Sequence, residues 1–173
     1  MSIASMLCLA LVAAAPAAPR EAAKEEPRAA ISAVLDDWHK AAGAADEARY
    51  FAHFTADAVF MGTDATERWT RDEFRAWARP FFARGKAWNF RAVSRHVSLS
   101  RDGAVAWFDE ALDTPNMGPC RGSGVLVKEG GAWKIAQYNL SVPIPNELLP
   151  ELKGRIEAHL KKPAPAKSEP ARK

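Results

Sequence analysis

The stretch from Gly130 to Pro145 constrains this chain more than any other. Gly130 and Gly131 supply a turn that tolerates positive φ. Beyond it the side chains alternate, with Trp133, Ile135, Gln137, Asn139 and Ser141 on one face and Ala136, Tyr138, Leu140 and Val142 on the other. Pro143 and Pro145 end the strand by withdrawing backbone donors. The strand grades from apolar to polar at Gln137, Tyr138 and Asn139, as the wall of a lined pocket requires. An ordinary sheet strand with polar residues near its end carries the same pattern.

A chain of 173 residues holds one domain with a real core and not two comfortable ones. The five bases and one acid of residues 161–173 account for more than the whole net charge of +3. The basic balance therefore belongs to a tail, and gives little reason to expect a nucleic-acid partner. Residues 3–18 are apolar and small, too short to span a bilayer with flanks, and Ala15-Pro16-Ala17 suits a signal peptidase. The expectation is a signal peptide over 1–18, a periplasmic or secreted protein, and no membrane span once it is removed. Leu7 before Cys8 argues against lipidation. Cleavage leaves Cys120 as the only thiol, with no intrachain disulfide.

Residues 19–26 read as a charged linker and 27–160 as the folded domain. Ile31, Val34, Leu35 and Trp38 repeat at helical spacing, with Asp36, Asp37 and Lys40 opposite, and Gly43 ends the helix. A short helix over about Asp46 to Phe54 buries Tyr50, Phe51 and Phe54, and Ala58 to Met61 is a short strand. Thr70 and Glu73 form a capping box, with Trp69 and Phe74 at the staple positions. Phe74, Trp77, Ala78 and Phe81 are the expected buried stripe of that helix. Trp69 reads as a staple in preference to a surface that stacks on a ligand.

From Trp88 onward the pattern is strand after strand. Trp88 to Arg101 alternates imperfectly, which implies a bulge or burial on both faces. Asp102-Gly103 is a hairpin turn. Ala104 to Asp113 returns with Phe108, Glu110 and Leu112 on one face, and Cys120 to Lys128 follows. A final helix carries Leu149, Leu152, Ile156 and Leu160 before a basic tail, 161–173, which has no core-forming residues and is expected to be disordered. Helices followed by hairpin-linked strands make an α+β domain, a curved antiparallel sheet wrapped on the N-terminal helices as an open cone.

In this order, Trp38, Phe51-x-x-Phe54-x-x-Asp57, Gly62-Thr63-Asp64 to Glu67-Arg68-Trp69, Trp107-Phe108-Asp109-Glu110, Arg121-Gly122-Ser123-Gly124 and Trp133 to Ser141 carry a resemblance. Over Pro27 to Asn146 the chain resembles the nuclear transport factor 2-like superfamily, in its SnoaL-like branch. The resemblance implies the cone-shaped fold and no single activity. The superfamily includes isomerases, hydratases, cyclases, hydrolases and oligomerisation domains.

The polar residues that converge on such a cone are Asp64, Glu67, Arg68, His96, Glu110, Arg121, Tyr138 and Asn139. Glu110, between Phe108 and Leu112, is the candidate catalytic residue. Arg121 on the next strand is its expected partner. If they pair, Glu110 is structural; if they do not, it is a general base. His39, His53, His96 and His159 lie on separate elements without ligand spacing, so no metal is expected, and no cofactor loop is present.

Three functions remain open. One is binding of a small molecule in a hydrophobic cone without turnover. The second is acid/base catalysis of an isomerase or hydratase type on a small hydrophobic carbonyl or hydroxyl compound. The third is structural dimerisation, as in the association domain of calmodulin-dependent kinase. A homodimer is expected in any case, because both strand faces carry large residues.

Overall fold

The protein is described from a computed structural model, over residues 19–161. The expected signal peptide (1–18) and the basic tail beyond its first residue lie outside the described residues. Two helices open the fold, α1 (Pro19–Gly43) and α2 (Glu47–Ala52), followed by the paired strands β1 (Phe54–Met61) and β2 (Arg68–Thr70). Helix α3 (Arg71–Ala83) leads into four long strands, β3 (Arg91–Leu99), β4 (Val105–Thr114), β5 (Gly118–Glu129) and β6 (Ala132–Ser141). A short turn of helix, Asn146–Leu148, precedes α4 (Leu149–Leu160). No described helix is long and apolar enough to cross a membrane.

Helix α1 starts earlier than the periodicity of its apolar face. The linker expected over 19–26 is helical and Pro27 lies inside the helix. Ala and Glu dominate that segment, and both are strong helix formers. The Asp46 side chain caps α2 by accepting from the Arg49 backbone N–H. The Thr70–Glu73 capping box forms as the spacing indicates. In α3 the buried residues are Phe74, Ala78 and Phe82, whereas Trp77 remains 45% exposed. The stripe therefore ends on Phe82 in place of Phe81, because the helix leans against Tyr50 and Phe51.

The six strands form one sheet in the order β2-β1-β6-β5-β4-β3. All pairings are antiparallel except β1 with β6, which is parallel. The chain reaches β6 from the far edge of the sheet, so the last strand inserts beside the first. Of the three register shifts in the sheet, two decide which side chains face the inside of the cone. One, between Ala92 and Ser94 of β3, turns Arg95, Val97 and Leu99 inward with Ala92 and leaves Val93 outside. The other lies opposite Val125 and Leu126, which pair with Gln137 and Ile135, so Ala136 is the extra residue. It carries Tyr138 and Leu140 onto the same inner face as Trp133 and Ile135. Gly124 makes room for this bulge, since a methyl group there would lie 2.3 Å from the Gln137 carbonyl oxygen.

The core is aromatic. Trp38 stacks on Tyr50 with ring centres 5.1 Å apart and meets Tyr138 edge-on at 4.6 Å. Phe60 of β1 lies face to face with Phe74 of α3 at 3.8 Å, which clamps that helix to the sheet. Edge-on pairs such as Trp38–Tyr138 add about 0.5–1.5 kcal/mol beyond their buried area.

Candidate functional site

Glu110 is fully buried on the inner face of β4. Its partner is Arg95, directly opposite on β3, and not Arg121. Arg95 Nε donates to Glu110 Oε2 at 2.9 Å, and Nη2 lies 2.8 Å from the same oxygen at too oblique an angle to count as a second bond. Arg121 pairs with Ala111, one register position away, so its side chain leaves on the opposite face and is exposed. The period of two in a strand makes this an all-or-none outcome.

Helix α1 completes the network. Ser32, Asp36 and His39 fall at i, i+4 and i+7, so one helix face presents all three. Arg95 Nη1 donates to the Ser32 carbonyl at 3.0 Å and to Asp36 Oδ1 at 2.9 Å. His39 Nε2 donates to Glu110 Oε1 at 2.8 Å. The desolvation of a buried carboxylate is thus offset by a guanidinium and an imidazole N–H.

In front of this network opens a cleft of about 190 Å³. Nine of its fourteen lining residues are aromatic, among them Trp38, Tyr50, Phe60, Trp69, Trp88 and Tyr138. Trp69 lines it while stacking on Phe74 at 5.8 Å, so the staple and the pocket wall are one residue. Three polar atoms here are buried without a hydrogen-bond partner: Trp38 Nε1, the Tyr50 hydroxyl and the Tyr138 hydroxyl. Burial pushes the Tyr50 phenol well above its ordinary value, partly offset by the nearby Trp88 and Trp38 indoles. Burial raises Tyr138 likewise, and the charge of Glu110 adds to the rise. A methyl group at Gly122 would meet the Tyr138 hydroxyl at 2.3 Å and Glu110 Oε1 at 2.9 Å. The two oxygens therefore share the space over this glycine, where the cleft wall adjoins the buried network.

Of the eight residues expected in the cone, Glu67 and Tyr138 line the cleft and Glu110 lies behind it. Glu67 Oε2 accepts from the Asp64 backbone N–H at 3.1 Å, which folds the loop. Asp64 is exposed and bonds Thr66, and those bonds hold its carboxyl below the usual range. Arg68 is exposed on β2. His96 faces outward, 77% exposed, 3.2 Å from Asp109. Asn139 is half-buried on the outer face, where the Ala136 bulge puts it.

Sequence reasoning missed His39, Arg95, Trp38 and Tyr50 as site residues. His39 carried a signal, since it stands four residues after Leu35 on the edge of the apolar stripe. Arg95 carried none, because the bulge that turns it inward depends on pairing with β4.

The profile of the SnoaL-like domain matches residues 31–145. No match was found among curated proteins. Among solved structures, the chain is similar to an NTF2-like protein of unknown function from Pseudomonas putida, at 17% identity and TM-score 0.58, over 73% of this chain and 91% of that one. A protein of unknown function from Mycobacterium tuberculosis is similar at 18% identity and TM-score 0.61, over 76% and 79%. A protein provisionally named a dehydratase of the NTF2-like family, from Streptomyces avermitilis, is similar at 14% and 0.61, over 70% and 99%. Helices wrapped by a curved six-stranded sheet, the matched domain profile and these neighbours agree: the chain belongs to the SnoaL-like domain family, and its fold is similar to that of NTF2-like proteins.

Proposed function

We propose that the aromatic cleft binds a small, neutral, largely apolar molecule of one or two rings that carries a hydrogen-bond acceptor, without turnover. The observation that carries this reading is the set of unpartnered polar atoms on an aromatic wall: Trp38 Nε1 and the hydroxyls of Tyr50 and Tyr138. Each such group costs about 1–3 kcal/mol while unsatisfied, and a ligand carbonyl or ether would relieve it. A cavity of about 190 Å³ exceeds the roughly 150 Å³ that accommodates benzene. No Lys or Arg is among its lining residues, so a neutral ligand suits it.

The reading of Glu110 as a free general base has less support, because both of its oxygens are engaged. Association of two copies through the outer sheet face is supported by exposed Val93, Val105 and Trp107, and light scattering at micromolar concentration would show the doubled mass. Export is proposed on residues 3–18 alone.

Titration of tryptophan fluorescence with acetophenone, one ring with one carbonyl, tests the binding reading. Saturable quenching that weakens in Tyr50→Phe is expected. Linear, unsaturable quenching, with no molecule co-purifying by mass spectrometry, would defeat it.

A further inference from the structure

We infer that His39, oriented by Glu110, accepts a proton at Nδ1 in a second recess, between α1 and the start of β3, and that this recess takes a small carboxylate. The recess measures about 250 Å³ and is bordered by Asp36, His39, Lys40, Asn89, Phe90 and Arg91. Phe90 also borders the aromatic cleft, so its ring stands between the two spaces. This inference does not rest on ligand binding in that cleft.

The tautomer follows from the hydrogen bonds. Glu110 Oε2 accepts from Arg95, and a carboxylate so placed accepts through Oε1 as well, so the His39 proton is on Nε2. Nδ1 then carries the lone pair. It has no hydrogen-bond partner among the described residues and is not one of the fully buried orphan atoms, and the His39 side chain borders the recess. A carboxylate behind one imidazole nitrogen and an open space before the other is the arrangement that fixes a base and stabilises the imidazolium it becomes.

Charge decides the ligand class. Among the recess cations, Arg91 is paired with Asp113 at 2.9 Å, while Lys40 forms no ion pair among the described residues. The acid at the rim, Asp36, is already paired with Arg95. Arg95 meets both Asp36 and Glu110, so among the described residues Lys40 is the recess cation left free to meet a carboxylate.

The probe is p-nitrophenyl acetate. His39 Nδ1 takes a proton from water as the water oxygen bonds to the acetyl carbon and the carbonyl electron pair moves onto its oxygen. That pair returns as the bond to the leaving oxygen breaks; p-nitrophenolate departs with its electrons, and the imidazolium gives its proton to solvent. His39→Gln keeps an N–H toward Glu110 and removes the base. Its hydrolysis rate should fall about 10²-fold, with the urea midpoint showing that the variant is folded. Acetate should inhibit competitively, and Lys40→Glu, outside the buried network, should weaken that inhibition about tenfold. Equal rates in wild type and His39→Gln overturn the inference. If His39→Gln does not fold, acetate inhibition absent from wild type or unchanged in Lys40→Glu overturns it.

Discussion

Arg95 and Glu110 face each other at paired positions of β3 and β4, with Nε 2.9 Å from Oε2. Both side chains are withdrawn from water, at 9% and 0% exposure. Breaking a buried pair of this kind from one side typically costs about 3–5 kcal/mol, because the other charge is left stranded. Arg95→Met should lose that much in urea unfolding, and Glu110→Gln with Arg95→Met should recover part of it. Arg121→Met, on the exposed face, should change stability by under ~0.5 kcal/mol. A large loss at Arg121 with none at Arg95 would contradict the register of β4 and β5.

Gly122 has no room for a side chain although its backbone conformation is ordinary. A Cβ would sit 2.3 Å from the Tyr138 hydroxyl and 2.9 Å from Glu110 Oε1, both of them locked in the core. Gly122→Ala should destabilise by about 1–3 kcal/mol through overpacking. Addition of Tyr138→Phe should restore part of this by removing the nearest atom. Thermal melts of the two variants measure both effects.

Asp37 couples stability to acid. The Arg49 side chain, hydrogen-bonded to it, lowers its pKa from 3.8 to about 2, against some opposition from desolvation and with help from His53. The folded value lies below the unfolded one, so the stabilisation is present above the unfolded pKa and disappears as pH falls through the folded pKa. The stability difference between wild type and Asp37→Asn should hold constant near neutrality and shrink between about pH 4 and 2. Because the pair is partly exposed, added salt should reduce the difference at every pH. Urea unfolding across that pH range checks the trend.

The chain has two tyrosines, and both lie in the core. Tyr50 and Tyr138 are each raised well above 10.0, with burial as the main cause. A raised folded value favours the protonated form, so the contribution to stability is present below the unfolded pKa and is lost as pH rises beyond it. Ultraviolet titration should show no phenolate up to about pH 10, then both phenolates together as the protein unfolds. Titration of one tyrosine at its ordinary value in the folded protein would place that ring in water.

Local pattern was enough for the order of elements. Helical spacing from Ile31 to Trp38, the Thr70–Glu73 box, the Asp102-Gly103 turn and the alternation around Phe108 each depend on neighbours within a few residues, and each appears in the fold. The inward placing of Glu110 was legible for the same reason, because its flanks Phe108 and Leu112 are apolar. The domain family was legible too, from Trp38 to the β6 motif.

What only the tertiary structure decided is which side chains meet. The shifts at Ala92–Ser94 and at Ala136 each reverse the parity of a strand, bringing Arg95 and Tyr138 inward and sending Asn139 out. Neither shift is a local property: the second exists because Gly124, on another strand, lets the Gln137 carbonyl approach to a distance no Cβ would permit. His39 meets Glu110 across 71 positions of sequence, and Arg95 joins both to α1. A strand's faces can be read from its own residues only until a partner strand inserts one more.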